Sequence, residues 1–169
     1  MTTSELTYRR ARLSDEPELI KLRISCGWGE DKIGQVLKDS VDGKLALYLF
    51  ELEGEPIGMG AIEFEPAGEP DIVNPDTNTV MISLLHIYTR FQGKHLGTKV
   101  MDIIEDLCVR EFGAKTITLN TRPRLEDGRV NHVKIWYNRR GYNEYKAEEP
   151  RYKWGDRLLT ACFLRKVVG

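Results

Sequence analysis

Six consecutive residues, Gln92-Gly93-Lys94-His95-Leu96-Gly97, stand between an apolar run at 80–87 and a helical pattern at 97–112. A buried strand that ends in a glycine-rich turn and opens a helix aims several backbone N–H groups from a positive helix N-terminus. Such a turn is built to hold phosphate. Glycine turns between strands and helices are common, so this one alone is a weak signal. A second set of residues strengthens it: Asn131, Tyr137, Gly141 and Tyr142 follow on another helical stretch with the spacing N-x5-Y-x3-G-Y. Helical spacing by itself reads Tyr137 as an aromatic packed on the inner face of that helix.

These residues need a framework, and the chain is long enough to supply one. Its 169 residues predict one domain, spanning 1–169, and the 41% apolar share is enough for a core. The net charge is -1 and the pI near 6.3, so neither nucleic acid nor an anionic membrane is expected as the main partner. Residues 1–10 hold no apolar signal core, and no apolar run reaches the ~20 residues needed to cross a bilayer. A cytoplasmic location is expected. Cys26, Cys108 and Cys162 are odd in number and scattered, which predicts free thiols in a reducing compartment. No Cys/His cluster has metal-ligand spacing, so no metal is expected. His86, His95 and His132 are too far apart in sequence to define a site.

The periodicity predicts an alternating series of elements. A strand at 7–11 precedes a helix that starts at Ser14-Asp15-Glu16-Pro17 and turns Leu19, Ile20, Leu22 and Ile24 partly inward. Cys26-Gly27-Trp28-Gly29 breaks it, and a second helix follows at 31–41. Strands at 45–51 and 57–64 pair across a turn, and the Pro-, Gly-, Asp- and Asn-rich stretch 66–78 reads as a mobile surface loop. Residues 80–87 read as a central strand covered on both sides. Strict alternation there puts Met81, Ser83, Leu85 and Ile87 on one face and His86, a satisfied buried histidine, on the other. Val100, Ile103, Ile104, Leu107 and Cys108 form one buried helical stripe ended by Gly113. A strand at 116–120, parallel to 80–87, leads through a charged loop at 121–129 to a helix at 131–140. Strands at 142–147 and 158–167 finish the chain, joined by a connector at 148–156.

This order of elements and the two motifs resemble the GNAT superfamily of N-acetyltransferases over nearly the whole chain, most specifically across 84–142. The family turn, Arg/Gln-Gly-x-Gly-x-Gly, is matched at Gln92, Gly93 and Gly97, with His95 in place of the middle glycine. The resemblance implies an α/β fold: a mixed, mostly antiparallel twisted sheet flanked by helices, with one parallel β-α-β cofactor unit. It implies acetyl-CoA as co-substrate and direct transfer to a primary amine, most simply a small molecule. Alternatives are a protein N-terminal or lysine acetyltransferase, and a CoA-binding regulatory or interaction module.

On this resemblance the amides of Gln92, Gly93, Lys94, His95, Leu96, Gly97 and Thr98 hold the pyrophosphate. Leu85, His86 and Ile87 pair with the pantetheine arm, and one N–H among them stabilises the oxyanion. Asn131 supports the cofactor, and Tyr137 is the acid. His95 is tolerated if its backbone is right-handed and its ring points outward. Glu63 and Glu65 are the candidate bases, acting through water. The acceptor is expected between the first two helices, the 66–78 stretch and the terminal hairpin. Trp28 there is either an aromatic wall or a cap on the core. Cys26 has no adjacent base and is not a nucleophile candidate. Arg122, Arg124 and Arg129 either reach the 3′-phosphate of CoA or an acidic substrate group, or form a solvated loop. Tyr145, Tyr152 and Trp154, with Glu148, Glu149 and Asp156, either receive a cationic amine or pack between strands. A monomer or a homodimer is expected.

Overall fold

The computed structural model describes residues 5–169, so the first four residues of the N-terminal stretch read above lie outside it. The elements run β1 (Leu6–Arg10), α1 (Glu16–Cys26), α2 (Ile33–Val41), β2 (Leu45–Leu52), β3 (Glu55–Glu63), β4 (Thr79–Ile87), α3 (Leu96–Phe112), β5 (Thr116–Thr121), α4 (His132–Arg139), β6 (Asn143–Trp154) and β7 (Arg157–Val167). One seven-stranded sheet has the order β1-β2-β3-β4-β5-β7-β6. β4 and β5 run parallel, as the strand–helix–strand order requires, and the other neighbouring pairs are antiparallel.

Residue alternation in β2 shows why helices cover both sides. Ala46, Tyr48 and Phe50 enter the core beneath α3, with Val100, Ile104 and Leu107. Leu47 and Leu49 enter a second core beneath α1 and α2, with Leu19, Leu22, Ile33 and Leu37. α3 buries the stripe its spacing predicts and ends at Gly113, whose φ of 63° suits glycine. In α1 the fit is poorer: Ile24, read as partly inward, is 61% exposed.

Two connections differ from expectation. The 66–78 stretch is pinned, because Ile72 and Val73 bury themselves with Ala161 and Phe163. The Ile72 carbonyl accepts a 2.7 Å bond from Thr118 Oγ1, and Asp71 pairs with Lys146 at 2.8 Å. The terminal hairpin is also longer, since β6 continues to Trp154 and leaves only Gly155 and Asp156 as the turn. Pro150 and the mixed charges of 148–154 resemble a connector. An edge strand tolerates both, because one of its sides needs no partner.

Candidate active site

β4 pairs with β5 only from Thr79 to Met81, against Thr116 to Thr118. Beyond that point β4 continues beside β3 and β5 beside β7, so the two parallel strands part and a cleft opens between their ends. The parting coincides with a break in β4 itself. Its register against β3 jumps from Ala61↔Ser83 to Met59↔His86, and Leu84 adopts a left-handed φ of 56°. Leu84 and Leu85 therefore oppose the single residue Gly60, which is a β-bulge.

The bulge reverses the alternation expected for this strand. Val80, Ile82, Leu85 and Ile87 face the α3 core. Met81 and Ser83 share the α1 side with Leu84, so they do not share a face with Leu85 and Ile87. His86 also turns to that side, where its Nε2 lies 3.1 Å from Ser25 Oγ on α1. It remains opposite to Leu85 and Ile87, but it is half-buried beside a cleft and not sealed in the core. Burial first, and then the Arg23 charge, hold its pKa down at about 4.

On the α3 side lies a cleft of about 460 Å³. Leu85, His86 and Ile87 form its floor, and Gln92, Gly93 and Gly97 its near end. Gln92 Nε2 donates to the Ile87 carbonyl at 2.8 Å and ties the turn to the strand. Gly93 has φ 79°, and His95 caps α3 with φ 59° and ψ 11°. This corrects the right-handed backbone on which tolerance of His95 was expected to depend. The His95 ring does face solvent, as do Lys94 and Gln92, while Leu96 is buried and Thr98 half-buried. The first amides of α3 have no carbonyl one turn earlier to bind and point into the turn.

The opposite wall is α4, through His132, Val133, Trp136 and Arg139. His132 and Arg139 went unassigned in the sequence, although their seven-residue spacing sets them on one helical face. Asn131 does not project into the cleft. Its Oδ1 accepts from Val133 N at 3.0 Å and its Nδ2 donates to the Arg122 carbonyl at 2.9 Å, so it fixes where α4 begins. Tyr137 is buried behind Trp136 and packs edge-on against Tyr142. Burial pushes its hydroxyl well above the ordinary tyrosine range, against a smaller opposing pull from Arg140.

A second cleft, about 190 Å³, lies on the other face of β4. Arg23, Cys26 and Trp28 form one wall, Met81, Ser83 and Leu84 another, and Asn120 and Tyr152 close it. Trp28 meets Tyr152 edge-on at 4.7 Å, so Trp28 is a wall and not a core cap. Burial raises the Tyr152 hydroxyl above the ordinary tyrosine range, and Tyr137 lines neither cleft.

Other expected residues lie elsewhere. Glu63 is half-buried at the end of β3 and Glu65 is exposed beyond it; neither lines either cleft. Glu63 is four residues from Met59, the partner of His86, or ~13 Å at strand rise. The charged loop is internally paired: Arg122 with Glu126, Arg129 with Asp127, and Arg124 with the Gly128 carbonyl. Cys26, Cys108 and Cys162 are free thiols. Among the described residues no group of three His, Cys, Asp or Glu side chains is placed to hold a metal, and no helix is long and apolar enough to cross a membrane.

A splayed parallel pair, a bulged strand and a glycine turn at a helix start form a cleft whose shape suits an extended, phosphate-bearing ligand. The chain belongs to the acetyltransferase (GNAT) family, whose model matches residues 13–129. It is therefore an acetyltransferase, and the family implies acetyl-CoA as the acetyl donor. The fold is similar to that of spermidine/spermine N-acetyltransferase SpeG from Vibrio cholerae, with TM-score 0.71 and 14% identity over 96% of this chain and 92% of that one. A ribosomal-protein alanine N-acetyltransferase from Escherichia coli gives 0.72 and 13% over 96% and 94%. An acetyltransferase from Thermus thermophilus gives 0.70 and 17% over 99% and 100%. No curated protein sequence matches the chain.

Proposed function

We propose that residues 1–169 form one acetyl-CoA-dependent N-acetyltransferase domain that acetylates a primary amine of a small molecule by direct attack in a ternary complex. The supporting observation is that two clefts lie on opposite faces of β4, one bordered by Leu84 and the other by Leu85, the two residues of its bulge. A donor in one cleft and an acceptor in the other would approach each other there.

Acetyl-CoA would supply the activated acetyl thioester. The amides of Gly93 to Thr98 fit its pyrophosphate, aided by the positive end of α3. The backbone of Leu85, His86 and Ile87 is aligned to hold the pantetheine arm in extended form, with Val133 and Trp136 as its apolar cover. An N–H of that strand would donate to the carbonyl oxygen as negative charge grows on it. The amine nitrogen bonds to the carbonyl carbon, the carbon–sulfur bond breaks, and the thiolate takes a proton. Tyr137 suits that donation, because its raised pKa keeps it protonated through the physiological range. The amine must lose a proton on the other side of the strand. We assign its passage to water to the neutral His86–Ser25 pair on the α1 side of β4, ahead of the more distant Glu63 and Glu65.

Calorimetric titration of acetyl-CoA, followed by thiol release with a panel of amines, tests this reading. One-to-one binding with turnover is expected; binding without turnover of any amine favours the regulatory-module alternative. Tyr137→Phe should lower kcat by ~10²-fold or more while the acetyl-CoA Kd stays within about threefold. Equal kcat in variant and parent would remove the acid role.

A further inference from the structure

Resting on the transferase reading above, we infer that the second cleft selects an amine that also carries a carboxylate, and that Arg23 is the residue that binds it. Arg23 is 5% exposed, yet among the described residues its guanidinium makes no hydrogen bond and no ion pair, and its Nε is buried without a partner. Its neighbours are the Trp28 ring, 5.9 Å from Cζ, and the backbone of Gly29, where an added Cβ would come within 3.0 Å of Nη2. Neither carries a negative charge.

Other shielded arginines of this chain are matched. Arg9 pairs with Asp15 and Glu51, Arg140 with Glu105 and Asp102, and Arg151 with Glu69 and Glu149. A buried cation without a counterion is costly. The cost is explained if the counterion arrives with the substrate, since a guanidinium fork matches a carboxylate in two parallel bonds.

The cleft carries a complementary group. Asn120 Oδ1 is also buried without a partner and lines the same cleft, so it offers an acceptor for the amine N–H groups. No Asp or Glu lines this cleft, which leaves nothing there to hold a second positive charge. Its volume of about 190 Å³ equals roughly six waters at ~30 Å³ each. That is room for a small amino-carboxylate head, with Met81, Trp28 and Tyr152 as the apolar surroundings of its side chain. An amino acid or a close analogue fits these features. A polyamine places a cation where the structure already has one.

The test compares matched pairs at saturating acetyl-CoA: glycine against glycinamide, alanine against alaninamide, phenylalanine against phenylalaninamide, with spermidine as a polyamine arm. The lower amine pKa of an amide favours it as a nucleophile, so that bias opposes the expected result. In the parent, kcat/KM for at least one amino acid should exceed that of its amide by ~30-fold or more, and spermidine should be slower. Arg23→Gln should abolish the preference by depressing only the carboxylate member, and Arg23→Lys should restore part of it. An amide or spermidine that equals or outruns every amino acid would overturn the inference, as would Arg23→Gln lowering both members of a pair alike. If Arg23→Gln does not fold, the ratios in the parent decide. Acetyl-CoA binding is measured in parallel. Its absence defeats the transferase reading itself, whereas binding with a polyamine preference, or with no response to any amino acid, defeats only the assignment of Arg23.

Discussion

His95 holds a backbone conformation that glycine would adopt without strain. Its φ of 59° is left-handed, its ring is exposed, and its side chain makes no capping bond. An L-residue there costs ~1 kcal/mol, although histidine tolerates the region better than most. His95→Gly should raise stability by ~0.5–1 kcal/mol, read by thermal unfolding. It should leave the acetyl-CoA Kd within about threefold, because main-chain amides do the binding; a large loss would give the ring itself a role. His86 has a different consequence. Its pKa falls from 6.5 in the unfolded chain to about 4 in the fold, so the folded state favours the neutral ring. That contribution is complete above pH 6.5 and is lost as pH falls toward 4, because the unfolded chain takes up the proton first. With partial exposure discounted, the loss is ~1–2 kcal/mol. His86→Gln should flatten the stability profile between these pH values. An unchanged slope would show that the ring is not shielded.

At the scale of elements, the bulge in β4 decides the geometry, and β3 is made of residues that permit it. A Cβ on Gly58 would lie 2.8 Å from the His86 carbonyl oxygen, and one on Gly60 would lie 3.0 Å from Ile104 Cδ1 and 3.2 Å from Leu85 Cδ1. Gly58→Ala must therefore push the end of β4 away from β3, toward the first cleft. A loss of ~1–3 kcal/mol in stability and weaker acetyl-CoA binding are expected, measured by melting and calorimetry on the same sample. Loss of stability with unchanged binding would show that the cleft does not depend on this contact. The bulge was not legible in the sequence. A mostly apolar run from Val80 to Ile87 reads as regular alternation, and one inserted residue inverts every assignment past it. The glycine turn and the α3 stripe were legible, because each rests on local spacing, whereas Asn131 caps α4 where a cofactor contact was expected. Arg23 was not, because an arginine between Leu22 and Ile24 reads as a surface residue until α1 is packed on the sheet. The 66–78 stretch misled for a related reason: Ile72 and Val73 alone outweigh their polar neighbours once Phe163 is beneath them.

Across the whole molecule, the sheet separates two cores, and the clefts are held open only if the helices on each side stay fixed to it. On the α3 side that connection runs through one carboxylate. Glu105 of α3, 12% exposed at its side chain, receives Arg140 from the end of α4, Lys166 Nζ of β7 at 2.9 Å and the Tyr142 hydroxyl at 3.1 Å. Asp102 adds a second contact to Arg140 at 2.6 Å. Three elements, α3, α4 and β7, and the connection before β6 thus converge on a group that lies behind the α4 wall of the first cleft. Glu105→Ala would leave two shielded cations facing each other with one exposed carboxylate between them and solvent. The expected loss is ~2–4 kcal/mol, a fall of roughly 5–15 °C in Tm for a chain of this size. Acetyl-CoA binding should weaken, because Trp136 and Val133 are positioned by the same helix. The pairing of Arg23 with a carboxylate acceptor, on the far face of β4, should be unaffected in the folded fraction. Adding Arg140→Met should recover part of the lost stability by removing the stranded charge. A Glu105→Ala protein that melts with the parent would mean that apolar packing alone joins α4 to the sheet.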